Sequence, residues 1–546
     1  MKRILVLVVF ASIILHGLHA ADDAGLDDSL QSSFGLLVSK SFSDKAAAIR
    51  DIAASGNPHS IRVLSSLLDG NLYFHKKNQS MILVSATTTK EYEIFDLLTG
   101  KLIETRSKKE LRKRYKKVVI NNKLRGLLNE KLATLTIFSE DKSTRLTSVR
   151  NILKTLNPSA VKLLRDAITQ ETDQDVKELM RICIAVFDAR SEIPEIQLAA
   201  INTLSGSLYP EARTVLEQLK TTQFDRTGAD SPLLQAVNSS LQAIELKAGV
   251  YKQVENIFFG LSLGSVLLLA AVGLAITFGV MGVINMAHGE MLMLGAYTTF
   301  VVQQLMPNSI EYSLFVAIPA AFVVTGLAGI GIERGIIRYL YGRPLETLLA
   351  TFGLSLVLQQ LVRSVFSPLN RSVVTPQWMS GSFEFNPVLS LTYNRMYIVV
   401  FALLVLFGLL WLLKKTSFGL QLRAVTQNRV MAKAMGIRTD RVDALAFGLG
   451  SGIAGIGGVA LSQLTNVGPN LGQAYIVDSF MVVVFGGVGN LWGTFFGAMI
   501  LGIANKFLEP VTGAVFAKIL VLVFIILFIQ KYPRGMFALK GRAAEG

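Results

Sequence analysis

The sequence predicts an all-α polytopic membrane domain of about eight to nine membrane segments, some of them broken, preceded by a mainly α-helical repeat domain with a small β insertion. The first observation is an asymmetry: the chain is polar with mixed charge before about residue 250, and long apolar segments follow one another after Ile257. The second is composition, because 51% of the 546 residues are hydrophobic and only 17% are charged. Such a chain is expected to join a soluble domain to a membrane domain.

The first twenty residues form a separate unit, which we expect to be a signal peptide over 1–20. Lys2 and Arg3 precede an apolar run, and a Leu-His-Ala segment stands before an acidic pair. This order is typical of a secretory signal, and a short retained anchor is the alternative. Either interpretation predicts that the following domain, residues 21–250, is exported to the periplasm.

The chain is strongly basic, with a net charge of +15 and a basic run, KKELRKRYKK, over residues 108–117. Nucleic acid is not expected as a partner, because the domain is exported and joined to a membrane half. We expect the run to be a solvated helix face, with contact to anionic lipid headgroups as the alternative.

The exported half shows no pattern that is typical of catalysis or metal binding. Cys183 is the only cysteine, so neither an intrachain disulfide nor a cysteine-based metal site can form. His59 and His75 are isolated and have no second ligand at a useful spacing. We therefore expect no metal site, no cofactor and no enzymatic centre, and the role of this half is interaction or regulation.

Three segments of the exported half repeat one pattern around a proline. In each, an aliphatic residue lies nine positions before the proline and a leucine six positions after it, giving the sets Ile49-Pro58-Leu64, Val149-Pro158-Leu164 and Ile201-Pro210-Leu216. Apolar residues spaced three to four apart on both sides give each flanking helix one apolar face. The pattern predicts helix pairs that turn at the proline and stack in a small HEAT-like array.

The repeats are unevenly spaced, because the first two prolines are 100 residues apart and the last two only 52. An insertion near 72–104 accounts for the difference. Within it, Thr99-Gly100 separates two partly alternating runs that extend from Tyr92 to Glu104. This arrangement favours a β-hairpin over a helix, so a small β element is expected.

Eight apolar segments follow in residues 251–546, which we assign to the membrane domain. Most are long enough to span a bilayer, and they lie near 257–280, 283–304, 313–333, 345–366, 396–413, 444–464, 475–505 and 514–530. The connections with the most Lys and Arg residues carry three, seven and four of them, at 334–343, 414–441 and 531–542. The positive-inside rule places these three connections and the C-terminus in the cytoplasm.

The number of crossings follows from this orientation. A chain that enters the membrane from outside and ends inside crosses it an odd number of times, yet eight segments are counted. The segment 475–505 is interrupted by the glycine-rich stretch Phe485–Gly493, which is unsuited to a continuous helix. We therefore expect two short pieces that meet at this break, and nine passages in all.

A run of polar residues, Asn285-Met-Ala-His288-Gly289-Glu290, lies between the first two apolar segments. Ionisable groups at membrane depth are costly unless they are paired, line water or lie at a broken helix, so the run indicates a solute path. His288 and Glu290 face different directions on a continuous helix, and Gly289 offers a break. Because the orientation places 281–286 at the inner end of the first span, we expect the run to form the turn that starts a second, broken helix.

Three membrane motifs carry a resemblance to a known family. They are Asn285–Glu290 with Leu294–Tyr297, Arg343-Pro344 with Thr351–Ser355, and Phe485–Asn490 with Gly493. In this order they resemble the branched-chain amino acid family of ABC importer permeases over about 257–540. The exported extension, with a helical domain that ends in INNKLR at 120–125, is more particularly similar to the permease of urea ABC importers.

The resemblance implies a multi-pass subunit of the bacterial inner membrane. It also implies three kinds of partner: a second permease subunit in a heterodimer, cytoplasmic ATPase subunits and a periplasmic solute-binding protein. The chain has no Gly-x-x-x-x-Gly-Lys-Ser/Thr phosphate loop, so ATP hydrolysis is expected in another chain. Part of the long cytoplasmic loop looks like the coupling helix that docks on the ATPase, through Arg423, Ala424, Asn428, Ala432 and Gly436. A positively charged loop that only fixes topology is the alternative.

A pathway for urea, which is neutral and has four N–H donors and one carbonyl acceptor, needs modest polar groups rather than a charged clamp. We expect the pathway to involve twelve motif residues: Asn285, His288, Gly289, Glu290, Gly295, Tyr297, Thr351, Gly353, Gly486, Gly487, Gly489 and Asn490. Backbone groups at the glycines and the two asparagine amides supply donors and acceptors. The alternative for the glycines is close helix packing, as expected for GLGSGIAGIGG over 448–458.

Together these patterns predict a transporter subunit and not an enzyme: the permease of an ATP-driven importer for urea or a close small amide. Import of branched-chain amino acids is the alternative within the same class. A stand-alone passive channel is the alternative from a different class.

Overall fold

A computed structural model describes residues 28–86, 91–227 and 231–537. The chain divides into two units, residues 1–247 and 248–546. Its described part is mostly helical, with a small β-sheet near the N-terminus and seven helices that are long and apolar enough to cross a membrane. The predicted fold class is therefore confirmed. The predicted signal peptide lies outside the described residues.

The first unit is built from short helices around one sheet. Its helices are α1 (Asp28–Val38), α2 (Phe42–Ala54), α3 (Ser60–Leu68), α4 (Lys108–Arg114), α5 (Asn122–Thr136), α6 (Lys142–Lys154), α7 (Pro158–Gln170), α8 (Gln174–Asp188), α9 (Pro194–Leu204) and α10 (Pro210–Thr227). The helix α11 (Pro232–Met281) begins in this unit and ends in the second.

The helix pairs predicted around the three prolines are confirmed. Pro158 and Pro210 are the first residues of α7 and α10, where a missing backbone N–H costs no helical hydrogen bond, and Pro58 lies in the turn before α3. All six aliphatic positions of the pattern are at most 1% exposed: Ile49, Leu64, Val149, Leu164, Ile201 and Leu216. The first pair contributes to one hydrophobic cluster and the other two pairs to a second cluster.

The predicted β element is a five-stranded antiparallel sheet. Its strands are β1 (Leu72–His75), β2 (Met81–Ala86), β3 (Glu91–Asp96), β4 (Leu102–Ser107) and β5 (Tyr115–Lys117), in the spatial order β4-β3-β2-β1-β5. The pairing of β3 with β4 confirms the predicted hairpin. The element extends beyond residue 104, because α4 returns the chain so that β5 pairs with β1. The basic run is therefore helical only as far as Arg114 and continues as an edge strand.

The second unit contains the end of α11 and ten further helices. These are α12 (His288–Leu305), α13 (Ile310–Gly335), α14 (Pro344–Phe366), α15 (Tyr393–Lys415), α16 (Ser417–Gln427), α17 (Arg429–Ala434), α18 (Thr439–Ser462), α19 (Leu471–Gly486), α20 (Leu491–Thr512) and α21 (Ala514–Lys531). A short hairpin, β6 (Ser382–Glu384) with β7 (Ser390–Thr392), precedes α15.

Seven of these helices meet the length and hydropathy expected of a membrane span: α11, α13, α14, α15, α18, α20 and α21. The helix α19 is apolar but shorter, and α12 begins with polar residues. Counting both with the seven gives nine membrane helices among the described residues, without the two short helices α16 and α17. This number agrees with the eight to nine segments predicted from the sequence.

The predicted break within 475–505 is confirmed. The helix α19 ends at Gly486, and four residues separate it from the start of α20 at Leu491. Gly487 and Gly489 have φ angles of 105° and 79°, in a region that favours glycine. A side chain on Gly486 would overlap the backbone of Gly493, so the two helices approach each other closely where the chain turns.

The cap of α7 gives a test of the repeat architecture. The side chain of Asn157 accepts a hydrogen bond from the backbone N–H of Ala160 at 2.8 Å. Asn157→Ala leaves this N–H without its acceptor, so we expect the free energy of unfolding to fall by about 1 kcal/mol. For a unit of this size, the loss corresponds to a decrease of about 2–4 °C in Tm, measured by thermal unfolding of the purified chain.

Two further variants serve as controls for the Asn157→Ala test. Asn157→Asp retains an acceptor oxygen and is expected to keep the wild-type Tm. Asn202→Ala makes the same chemical change at an exposed position within α9 and should not lower Tm. Equal Tm values for Asn157→Ala and Asn202→Ala would contradict the capping role.

Candidate functional site

The chain turns back into the helix bundle between α11 and α12. Residues 282–287 are not helical, and α12 begins at His288. The imidazole Nε2 of His288 lies 3.0 Å from the carbonyl oxygen of Ala270, which precedes Met281 by eleven residues. At 1.5 Å per residue, this contact lies about 16 Å back from the end of α11. The segment 282–287 is therefore re-entrant and brings the polar hexapeptide to the middle of the first span.

This depth corrects one expectation and confirms another. A second helix does start at the hexapeptide, as predicted, but it does not start at the inner end of the first span. The Lys and Arg content of the loops predicts the side of the membrane on which α11 ends. It carries no information about a backbone that then folds back into the bundle. Gly289 is also not the break, because it lies inside α12 and the irregular residues precede His288.

Two buried polar side chains satisfy the backbone of the re-entrant segment. The N–H of Met286 donates to Thr351 Oγ1 at 3.1 Å, and the N–H of Ala287 donates to Asn285 Oδ1 at 3.0 Å. Asn285 and Thr351 are at most 1% exposed. Because an unsatisfied backbone group in an apolar interior costs several kcal/mol, these two acceptors stabilise the non-helical segment.

The carboxylate of Glu290 is held by one face of α14. Its Oε1 accepts hydrogen bonds from Ser355 Oγ and Gln359 Nε2, each at 2.8 Å. Thr351, Ser355 and Gln359 are spaced four residues apart, so they form one polar stripe along a helix that is otherwise largely apolar. Glu290 is 1% exposed, and the polar stripe is buried with it.

Three buried polar atoms of side chains on α12 have no hydrogen-bond partner among the described residues. They are the second carboxylate oxygen of Glu290, Nδ1 of His288 and the hydroxyl of Tyr297. Because a carbonyl oxygen only accepts hydrogen bonds, Nε2 of His288 donates to Ala270 and its Nδ1 is left as an acceptor. Buried polar atoms of this kind are available to water or to a polar solute. No group of three His, Cys, Asp or Glu side chains in the described residues could hold a metal ion.

The glycines of the first two motifs occupy different environments. A Cβ on Gly289 would lie 2.5 Å from the carbonyl oxygen of Gly472, and one on Gly295 would lie 2.6 Å from the Cα of Gly455. These two glycines allow the backbones of neighbouring helices to touch. A Cβ on Gly353 would have no heavy atom within 4 Å.

The glycine break lies at the far end of α19 from the polar stripe. Gly489 contacts Gly279 near the end of α11, whereas Gly472, beside Gly289, is at the start of α19. The 16 residues of α19 separate these two places by about 24 Å. Gly486, Gly487, Gly489 and Asn490 are therefore not brought together with Glu290.

Asn490 caps a helix in this conformation. Its Oδ1 accepts hydrogen bonds from the N–H groups of Trp492 and Gly493, and its Nδ2 donates to the carbonyl of Phe537 at 3.3 Å. A Cβ on Gly487 would lie 2.8 Å from the same carbonyl oxygen. The glycine break is thus closed against the chain that follows α21.

The loop proposed for coupling contains two short helices instead of one. Asn428 ends α16 and caps α17, because its Oδ1 accepts a hydrogen bond from the N–H of Met431 at 2.9 Å. Gly436 follows α17 with a φ of 86°, as expected for a glycine that ends a helix. Arg423 is exposed, Ala424 is half-buried and Ala432 is buried against the bundle.

A buried network that the sequence analysis missed ties this loop to the spanning helices. Arg429, the first residue of α17, makes a bidentate ion pair with Asp443 of α18, whose side chain is fully buried. Its guanidinium also lies 4.5 Å from the ring centroid of Tyr341. The hydroxyl of Tyr341 lies 3.5 Å from Oε1 of Glu333 in α13. Burial, together with the nearby carboxylates of Asp443 and Glu333, raises the pKa of Tyr341.

A sequence signal for this network was present. Glu333 and Asp443 are acidic residues near the ends of apolar segments, where a carboxylate is costly without a partner. Their partners could not be assigned, because Arg429 and Tyr341 lie in separate loops and are brought together only by the fold.

The different surroundings of Gly289 and Gly353 allow a test of whether a motif glycine serves helix packing or a backbone-lined pathway. Gly289→Ala places a methyl group against the backbone of Gly472, so we expect unfolding to become easier by about 1–3 kcal/mol. Gly353→Ala makes the same change on an open helix surface and is expected to be neutral or stabilising by up to about 1 kcal/mol. Thermal unfolding of the purified chain measures both effects. Wild-type stability of the Gly289→Ala variant would contradict the close contact.

The comparisons with known proteins cover the membrane domain. Residues 256–529 match the family described as branched-chain amino acid transport system / permease component. The chain is 30% identical to the permease protein BraD of Pseudomonas aeruginosa and 32% identical to the permease protein LivH of Escherichia coli K12, both of high-affinity branched-chain amino acid transport systems. These alignments cover 53% and 52% of this chain, and 96% and 94% of the relatives.

A more distant relative is the ribose import permease protein RbsC of Haemophilus influenzae, which is 25% identical over 47% of this chain and 78% of its own length. No solved structure matches the chain. The family match covers half of the chain, and the alignments to BraD and LivH cover nearly the whole length of those proteins. The chain therefore belongs to the family of branched-chain amino acid transport system permease components.

Proposed function

We propose that this chain is the membrane-spanning permease subunit of an ATP-driven importer for urea or a close small amide. The observation that carries the proposal is the carboxylate of Glu290, which Ser355 and Gln359 hold inside the bundle while its second oxygen has no partner among the described residues. Urea has four N–H donors, and the free atoms of Glu290, His288 and Tyr297 can all accept hydrogen bonds. The site has modest polar groups of the kind that weak, transient binding requires.

In this proposal α14 acts as a gate. Glu290 is buried under α14, so a solute reaches its carboxylate only when α14 moves away from α12. The contacts that hold α14 there include the hydrogen bonds to Glu290, the apolar packing of Leu354, Leu358 and Val362, and the rings of Tyr297 and Phe366, whose centroids are 4.8 Å apart. Thr351 adds the hydrogen bond to the re-entrant segment. Exchange of these hydrogen bonds for bonds to the solute keeps the cost of opening low.

The proposal also includes the partners and the orientation. The N-terminal domain lies in the periplasm, and the loop with α16 and α17 lies in the cytoplasm, where it docks on an ATPase subunit. Three large apolar side chains of this loop are unusually exposed, Val430 at 81%, Met431 at 59% and Met435 at 77%. Apolar side chains displayed in this way fit a protein partner better than solvent. A second permease subunit and a solute-binding protein complete the importer.

Import of branched-chain amino acids is the second candidate function. It is favoured by the transport systems for which BraD and LivH are named. Glu290 suits the ammonium group of leucine, whereas a cation for the leucine carboxylate, Arg363, lies one helical turn beyond Gln359 and donates to Asn470. Competition between the two solutes separates the candidates.

Uptake of labelled urea tests the proposed function. In cells that express the importer, we expect saturable uptake at low external urea that stops when ATP is depleted and is not reduced by excess leucine. Deletion of this chain should abolish that uptake. Inhibition by leucine would favour the second candidate, and uptake that persists without ATP would favour a passive channel.

Two glutamines that are neighbours in α14 provide a matched pair for this assay. Gln359 donates to Glu290, whereas the next residue, Gln360, is exposed on a different face of the helix. Because a hydrogen bond to a charged group contributes about 1.5–3 kcal/mol, we expect Gln359→Leu to reduce urea uptake by about tenfold or more. Gln360→Leu should leave uptake within about twofold of the wild type at equal membrane abundance, since less than about 0.5 kcal/mol is at stake on the surface. Equal uptake by both variants would contradict the role of the polar stripe.

The ion pair of Arg429 with Asp443 gives a test of coupling. Arg429→Ala leaves a buried carboxylate without its cation, which costs about 3–5 kcal/mol, and releases α17 from α18. In proteoliposomes with the partner subunits, we expect the amount of urea imported per ATP hydrolysed to fall by about tenfold, equivalent to about 1.4 kcal/mol. Arg429→Lys should restore part of it. Arg438→Ala removes the same charge from an exposed position in the same loop and serves as the control. Equal amounts of urea imported per ATP hydrolysed by the two alanine variants would contradict a role of the Arg429–Asp443 ion pair in coupling.

A further inference from the structure

The outer face of the N-terminal sheet forms a basic pocket. The sheet packs one face on the helices, through residues such as Leu72 and Met81. Against the other face lies the seven-residue helix α4, whose Leu111 is buried against Ile82 and Ile94. Because α4 is short, the aromatic residues around it remain partly open. They form the floor of a cavity of about 560 Å³.

Tyrosines form the floor of this cavity, and cations form its walls. Tyr73, Tyr92 and Tyr115 contact the small cluster around Leu111. Four of the cations come from the basic run as it passes through α4 and β5, namely Lys108, Arg112, Lys116 and Lys117, and the fifth, Lys76, follows β1. The basic run is continuous in the sequence, but in the fold its side chains line several sides of one concave site.

Carboxylates do not neutralise these cations. Among the described residues, none of the five makes an ion pair, because the nearby Glu104 is occupied by Arg106 at 2.7 Å and by the hydroxyl of Tyr115 at 3.3 Å. Lys76 donates to the backbone carbonyls of Arg112 and Lys113, which anchors α4 at the rim. Like charges held this close repel one another unless an anion is present. Among the described residues, these cations are thus held around one cavity without an ion-pair partner.

We propose that this cavity is a binding site for a phosphate-bearing ligand. A single carboxylate would neutralise one cation, whereas a phosphate monoester carries about −1.5 to −2 charge and three acceptor oxygens. Arg112 offers a bidentate donor, and the lysines add point charges around it. Burial raises the pKa of Tyr73, so its phenol keeps a proton to donate. The source of the phosphate is either a soluble ester or an anionic lipid headgroup, and the chemistry of recognition is the same.

Binding of two kinds of probe to the full-length chain tests the proposal and separates the sources. In detergent, calorimetric titration with pyrophosphate is compared with sodium acetate at equal ionic strength. In phosphatidylcholine nanodiscs, the chain is titrated with vesicles that contain phosphatidylglycerol or phosphatidylcholine alone. We expect saturable binding of pyrophosphate, of phosphatidylglycerol or of both, and none of acetate or phosphatidylcholine. Pyrophosphate binding assigns a soluble ester, and binding of phosphatidylglycerol alone assigns the headgroup.

The variants are chosen so that only the pocket changes. Arg112→Gln with Lys116→Gln removes two wall cations and is expected to weaken binding by about tenfold or more, since each charged hydrogen bond contributes about 1.5–3 kcal/mol. Lys162→Gln with Arg181→Gln removes the same charge from exposed helix positions of the same unit and should bind as the wild type does. All four substituted side chains are exposed, and unchanged Tm values verify folding. No saturable binding by the wild type, or equal binding by the two double variants, would overturn the proposal.

Discussion

The membrane domain depends on one constraint: a backbone that leaves the helical conformation inside an apolar bundle must still find hydrogen-bond partners. The re-entrant segment 282–287 meets this constraint through Asn285 and Thr351. Once these two acceptors are fixed, α12 starts at mid-depth and Glu290 is directed at α14. The hydrogen-bond requirement of the broken helix is thus enough to explain the positions of these polar residues, without a bound solute. Glu290, which follows the break on α12, is held through Ser355 and Gln359 by the same face of α14 that supplies Thr351 to the re-entrant segment.

Close approach of helix backbones is the second requirement of the bundle. Lipid gives no hydrophobic advantage to helix association, so contact relies on small residues. Gly289 against Gly472 and Gly295 against Gly455 bring α12 into direct contact with α19 and α18. The sequence left two roles open for these glycines, a backbone-lined pathway and close helix packing. Their contacts favour packing. Gly353 is different, because its surface is open and its place in the motif has no packing explanation in this chain.

The sequence predicted the elements well because hydrophobic periodicity and turn residues act locally. The six buried positions of the proline repeats, the β3–β4 hairpin and the glycine break after Gly486 all follow from residues close to one another in the chain. The depth of His288 did not follow, since it depends on a contact with Ala270 that no local pattern encodes. The same limit applies to the basic run, where a strand replaced the end of a helix because β1 offered an unpaired edge. Both features depend on contacts between residues that are far apart in the sequence.

The proposed coupling requires that a movement at the cytoplasmic loop reach the polar stripe, and α18 provides a continuous path. Asp443, at its start, binds Arg429 of the loop. Twelve residues later, Gly455 touches Gly295 of α12, and Gly458 packs against the backbone of Leu292. A helix that is buried along its length moves as a rigid body, because its close-packed contacts do not deform gradually. A shift of α17 is thereby delivered to the turn of α12 that carries Glu290. In this proposal, an ATPase acts through Asp443 at the start of α18, and the packing of Gly455 and Gly458 passes the movement to α12.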